Sequence, residues 1–237
     1  MSPPTPTELR HELHGLADPQ IAANLQRFFK TGPGEYGEGD RFLGIRVPDL
    51  RRLVRPYRAM PLEAVLDLLR STWHEERLLA LLLLVEQYRR GSAENREAVH
   101  RQYLAHTRFI NSWDLVDASA EHVVGAHLDP SDPALLMRLA ASTSIWERRI
   151  AIMATFHWIK RGEFGPTLSI AERLLQDPHD LIHKAVGWML REVGKRDLEE
   201  EEAFLATSYQ IMPRTMLRCA IECFPEPRRQ EYLRGEA

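Results

Sequence analysis

Two residues one helical turn apart, Trp113 and Asp117, stand in the stretch Asn111-Ser112-Trp113-Asp114-Leu115-Val116-Asp117. Residues at i and i+4 share a helix face, and an aromatic ring beside a carboxylate can hold a cation. The same spacing also serves plain packing, with the indole in a core and the carboxylate at its edge. A period separates the two readings. Arg77, Trp113, Arg149 and Lys184 follow one another at 36, 36 and 35 residues, and four residues beyond each stand Leu81, Asp117, Met153 and Trp188. That spacing belongs to two-helix repeats such as HEAT and TPR units, whose stacking sets equivalent positions side by side. A position reading Arg, Trp, Arg, Lys is not a core profile, so it is expected to line a groove with Trp188 as a second aromatic. Arg148, Arg191, Lys195, Arg214 and Arg218 extend the basic row, and such a row can track a phosphate backbone.

Two tryptophans, one carboxylate and flanking cations form a limited set, suited to stabilising a transient cation. Cleavage of a glycosidic bond passes through an oxocarbenium-like sugar. Asp117 can stabilise that charge and position water, and each indole face can add roughly 0.5–2 kcal/mol. Arg149 can hold a phosphate. Other chemistries lack their parts. His11-Glu12-Leu13-His14 has the wrong histidine spacing for a helical zinc site, and His74-Glu75-Glu76 has no second histidine. No serine elbow or phosphate loop is present. Gly32-Pro33-Gly34-Glu35-Tyr36-Gly37 matches G-x-G-x-x-G in form, but a helix precedes it and Glu35 and Glu38 would oppose a pyrophosphate. The segment Thr31–Val47 therefore reads as a flexible loop, and no metal or cofactor is expected.

The elements that must position these residues read as helix throughout. Pro6, Pro19, Pro48, Pro61, Pro133, Pro166, Pro178 and Pro213 recur where a first helical turn would begin, a place that suits a residue without an N–H. Thr5, Asp18, Asp132 and Asp177 precede four of them as cap residues, and Thr5 with Glu8 has capping-box spacing. Apolar spacing places helices over 6–15, 19–30, 48–58, 61–70, 74–90, 93–108, 112–127, 133–141, 146–161, 166–176, 179–195, 198–208, 213–223 and 226–234. The expected fold is all-α, a superhelical solenoid of about six to seven HEAT-like pairs forming a single domain over 1–237 with a concave groove.

Bulk properties fit a globular protein, with 44% hydrophobic and 27% charged residues. The longest apolar run, Leu78–Val85, is too short to span a bilayer. Met1-Ser2-Pro3-Pro4-Thr5-Pro6 lacks the basic-then-apolar pattern of a secretory signal, so a cytoplasmic location is expected. The net charge of −3 does not exclude a nucleic-acid partner. Residues 197–202 carry five negative charges, expected on a solvated helix face, and leave the rest of the chain at +2. Cys219 and Cys223, four apart in a helical pattern, read as buried thiols.

Four motifs, in order, resemble the AlkD-type, HEAT-like repeat glycosylases of the DNA alkylation repair family. They are Phe42-Leu43-Gly44-Ile45-x-x-Pro48, Trp113-Asp114-x-Val116-Asp117, Ile145-Trp146-x-x-Arg149-x-Ala151-Ile152 and Lys184-Ala185-x-Gly187-Trp188-x-Leu190-Arg191-Glu192. The resemblance implies a catalytic aspartate at Asp117, sugar-flanking tryptophans at Trp113 and Trp188, and an active-site arginine at Arg149. DNA contacts are then expected from Arg77, Arg148, Lys184, Arg191, Arg214 and Arg218. The family's base-proximal aromatic falls on Phe28, and Arg46 is a further groove-facing candidate. The implied activity is excision of cationic N7-alkylguanine and N3-alkyladenine from duplex DNA by a monomer that leaves the lesion stacked. A noncatalytic DNA-binding repeat protein and a protein-interaction scaffold remain the alternatives.

Overall fold

The structure, a computed structural model, describes residues 5–237. Residues 1–4, part of the stretch read against a secretory signal, lie outside the described residues. The helices are α1 (Pro6–Gly15), α2 (Pro19–Phe28), α3 (Val47–Tyr57), α4 (Leu62–Leu69), α5 (His74–Arg90), α6 (Ala93–Ala105), α7 (Trp113–Asp117) and α8 (Ala134–Ala140). They continue with α9 (Ile145–Ala154), α10 (Phe156–Ile159), α11 (Gly165–Leu174), α12 (Asp180–Gly194), α13 (Leu198–Ser208), α14 (Arg214–Ala220) and α15 (Glu226–Arg234). The fold is all-α as expected, and among the described residues extended pairing is confined to an isolated bridge between Arg41 and Trp73. Thr5 and Glu8 form the capping box, and Asp18 caps α2. Asp177 does not cap α12, which starts later, behind His179.

Two expected helices are interrupted, each beside a hydroxyl that bonds back to the main chain. The 112–127 segment leaves α-helix after Asp117, where Ser119 Oγ donates to the Leu115 carbonyl at 2.6 Å. The 146–161 segment breaks at Thr155, whose hydroxyl donates to the Ile152 carbonyl at 2.7 Å. Gly125 packs against the same break, and a Cβ there would lie 2.0 Å from the Ala154 carbonyl oxygen.

The chain divides into two compact units, residues 1–123 and 124–237. In the first, α5 is the central helix, with α3, α4, α6 and α7 packed on it. Its run Leu78–Leu81 with Leu83 and Leu84 is buried, so the apolar stretch serves as a helix covered on most sides. In the second, α12 takes that place, contacted by α9, α10, α11, α13 and α14. Gly187 lets α14 approach α12, since a Cβ there would lie 2.4 Å from the Met216 carbonyl oxygen. No helix among the described residues is long and apolar enough to cross a membrane.

The segment Thr31–Val47 is not loose along its second half. The buried Glu75 carboxylate accepts the N–H groups of Leu43, Gly44 and Ile45 at 2.9, 2.8 and 3.2 Å. Gly44 has φ +85°, and a Cβ there would lie 2.0 Å from the Asp18 carbonyl oxygen, so glycine is required on both counts. The Phe-Leu-Gly-Ile motif is thus a backbone held by one carboxylate from α5.

Two further expectations need correction. In the acidic run, Asp197 caps α13, but Glu201 is 1% exposed because it faces α12, where Gly194 leaves room for its carboxyl. Burial first, then the neighbouring Glu202, raises the Glu201 pKa to about 8 against the opposing Arg191. Cys219 is half-buried and Cys223 is exposed. The α-helix ends at Ala220 and a 3-10 turn carries Cys223 off the buried face.

Glu75→Ala should cost on the order of 3 kcal/mol or more, because it leaves buried backbone donors unpaired; urea unfolding measures it. For Glu201, the folded pKa lies above the unfolded value of 4.5, so its contribution is complete below 4.5 and lost as pH rises through about 8. Glu201→Gln should unfold at higher urea than wild type near pH 8, with the gap closing toward pH 4.5.

Candidate active site

In the first unit, Trp113 opens α7 and Asp117 closes it one turn later, both half-buried. A ring stack fixes the indole. Trp113 lies 5.4 Å from Phe29 at 12°, Phe29 lies 5.0 Å from Phe42 at 26°, and Phe42 lies 4.5 Å from His74 at 23°. Phe28 meets Trp113 edge-on at 6.2 Å and is 64% exposed. These rings, with Val47 and Asp114, line an apolar cavity of about 370 Å³. Arg46, exposed at the start of α3, stands on its rim.

Beneath the stack lies a buried polar cluster. His74 Nε2 bonds Asp114 Oδ2 at 2.8 Å and His74 Nδ1 bonds Asp40 Oδ2 at 3.0 Å. Arg77 Nη2 donates to Asp40 Oδ1 at 2.6 Å, and Asn111 Nδ2 donates to the same oxygen at 3.3 Å. Burial works against the charge on His74, but its bonds to Asp114 and Asp40 prevail and raise its pKa to about 9. For Asp40, burial pushes up, while His74 and Arg77 together bring the carboxyl below its ordinary value. Behind α7, the buried Tyr103 hydroxyl pairs with Ser119 Oγ at 2.9 Å. Burial drives the Tyr103 pKa upward, Ser119 opposes, and the Asp117 charge adds to the rise.

In the second unit, Trp188 on α12 lies 6.3 Å from Phe156. One turn further along, Glu192 accepts from Lys195 Nζ at 2.7 Å and Arg196 Nη1 at 3.1 Å. Arg149 is buried, and its Nη1 donates to the Leu181 carbonyl at 2.6 Å, tying α9 to the first turn of α12.

The basic row expected from the period is largely spent on internal bonds. Arg77 is 4% exposed and belongs to the polar cluster, so it is not a groove cation. A charged residue is buried there because Asp40 pairs with it. Arg148 holds Asp177 at 2.5 and 3.3 Å, and Arg191 pairs with Glu222. Lys184 is exposed beside Asp180 at 3.1 Å, while Arg214 and Arg218 are exposed on α14. Leu81 and Met153, the counterparts of Asp117 and Trp188, are buried.

Asp40, His74 and Asp114 escaped the sequence reading. In the sequence His74 stands out only as an incomplete zinc motif, and Asp114 only as a motif position between Trp113 and Asp117. The available signal was a polar start, His74-Glu75-Glu76-Arg77, to the helix that carries the longest apolar run. Among the described residues no group of His, Cys, Asp and Glu could hold a metal ion.

A family profile described as DNA alkylation repair enzyme matches residues 9–224. The fold is similar to that of a predicted DNA alkylation repair enzyme from Enterococcus faecalis, at 18% identity and a TM-score of 0.69, over 89% of this chain and 97% of that one. No curated protein matches the chain. The family match spans parts of both units and includes all four motifs, and on it the chain belongs to the DNA alkylation repair enzyme family.

Proposed function

We propose that the chain is a monofunctional DNA glycosylase that hydrolyses the N-glycosidic bond of cationic alkylated purines, N7-alkylguanine and N3-alkyladenine, in duplex DNA. The observation that carries this reading is α7, where a stacked indole and a carboxylate stand one turn apart and both reach the surface.

A cationic purine leaves as a neutral base, because the electrons of the C1′–N bond cancel its charge. Protonation of the leaving group is therefore unnecessary, so a carboxylate can serve without a general acid. Positive charge develops on the sugar as that bond breaks, and Asp117 stabilises it electrostatically. Water held by Asp117 adds to C1′ and gives up its proton to the carboxylate or to solvent. The Trp113 face adds cation–π stabilisation, and the family resemblance assigns Trp188 the role of second sugar-flanking ring. The family resemblance assigns Arg149 to a phosphate; buried against the Leu181 carbonyl, its guanidinium would have to turn outward to reach one. Exposed Lys184, Arg214 and Arg218 are the preferred cations for further backbone contacts. Arg148 and Arg191 would first have to exchange their carboxylate partners.

The test is release of free 7-methylguanine from methylated duplex DNA. Wild type should release it, and Asp117→Asn should be slower by about a hundredfold or more while still binding the duplex. Equal rates would remove Asp117 from its role. Folded wild type that binds duplex in a salt-dependent manner yet releases no base would support the noncatalytic reading instead. Borohydride should trap no covalent DNA adduct, since no lysine nucleophile takes part.

A further inference from the structure

We infer that His74 is a positioning residue of the active site: by bridging Asp40 and Asp114 it holds the first turn of α7, and with it Trp113 and Asp117, in place. The inference rests on the glycosylase reading for its catalytic consequence, but not for its geometry.

Helix α7 needs an external hold. Five residues are too few for a helix to sustain itself. Its N-cap residue, Ser112, makes no side-chain cap bond, and Ser112 Oγ has no partner among the described residues. Asp114, in the first turn, brings a negative charge to the helix N-terminus, where it is favoured. His74 grips that carboxylate from α5, the central helix of the unit. The His74 ring is also the last plate of the stack that ends on Trp113. One buried side chain therefore reaches Trp113 by two routes. The Tyr103–Ser119 bond secures the chain just beyond Asp117.

The geometry requires both imidazole nitrogens to donate. Each faces a carboxylate oxygen, at 3.0 and 2.8 Å, and a neutral ring carries a single N–H. The charged groups around it are Asp40 from the loop, Asp114 from α7 and Arg77 from its own helix, with the neutral Asn111 amide on Asp40. The adjacent Glu75 is turned to the Leu43–Ile45 backbone. An imidazolium balances this set, whereas a neutral ring breaks one bridge. The folded pKa of about 9 lies above the ordinary 6.5, so the grip is complete below 6.5 and is lost as pH rises through about 9.

Full-length wild type, His74→Phe, His74→Gln, Asp114→Asn and Trp113→Phe distinguish the possibilities. His74→Phe keeps an aromatic plate and drops both bridges. Its single-turnover base release at saturating protein should fall roughly tenfold to a hundredfold, with duplex affinity nearly unchanged. Trp113 fluorescence, taken as wild type minus Trp113→Phe, should change with a midpoint near pH 9 in wild type. His74→Gln and Asp114→Asn should lack that transition. A folded His74→Phe with the wild-type rate would overturn the inference, and so would a Trp113 signal that is flat with pH. Should His74→Phe not fold, the wild-type pH transition and its loss in the other two variants decide. A transition in a wild type that releases no base would sink the glycosylase reading and leave the positioning of Trp113 standing.

Discussion

One imidazolium shared by two carboxylates is the constraint on which the first unit depends. Removing ions from water costs several kcal/mol each, so buried charges persist only when each has a well-placed partner. Here Asp40, His74, Asp114 and Arg77 partner one another, and each comes with a piece of structure attached. Asp40 brings the loop that continues into Phe42–Ile45, Asp114 brings α7, and His74 and Arg77 bring α5. Glu75 fixes the same loop from the same helix through the backbone. The aromatic stack lies on this polar floor and ends at Trp113. A helix too short to be stable alone can then present an indole and a carboxylate in a constant geometry.

The second unit uses similar devices more sparingly. Arg149 ties α9 to α12 through the Leu181 carbonyl, and Glu192 gathers Lys195 and Arg196 at the other end of α12. In both units, side chains resembling those of an active site also hold the scaffold. Arg149 is the clearest case: the residue assigned to a phosphate is buried and already bonded to main chain.

Much of the fold was legible in the sequence because helix starts are written locally. Thr5 with Glu8, Asp18 before Pro19, and the apolar spacing within each segment depend on neighbours a few residues away. The candidate site was legible as residue types but not as environments. Arg77 shares its repeat position with Trp113 and Lys184, yet Asp40, 37 residues earlier, pairs with it and takes it inside. Asp177 and Glu222 likewise engage Arg148 and Arg191 from remote segments. Glu201 is one of several acids in an exposed-looking run, and only Gly194 on another helix gives its carboxyl space inside. Periodicity shows which positions are equivalent, and only the packed structure shows which of them have found partners.

In the proposed reaction Asp117 stabilises positive charge on the sugar. The most direct test of this is the affinity of the protein for a duplex containing a pyrrolidine abasic analogue, cationic at the sugar ring, against the neutral tetrahydrofuran analogue. Wild type should favour the cationic duplex by about a hundredfold, in the range of transition-state mimics, and Asp117→Asn should lose that preference. Equal affinity of wild type for the two duplexes, or a preference that survives in Asp117→Asn, would show that Asp117 does not act on a sugar cation.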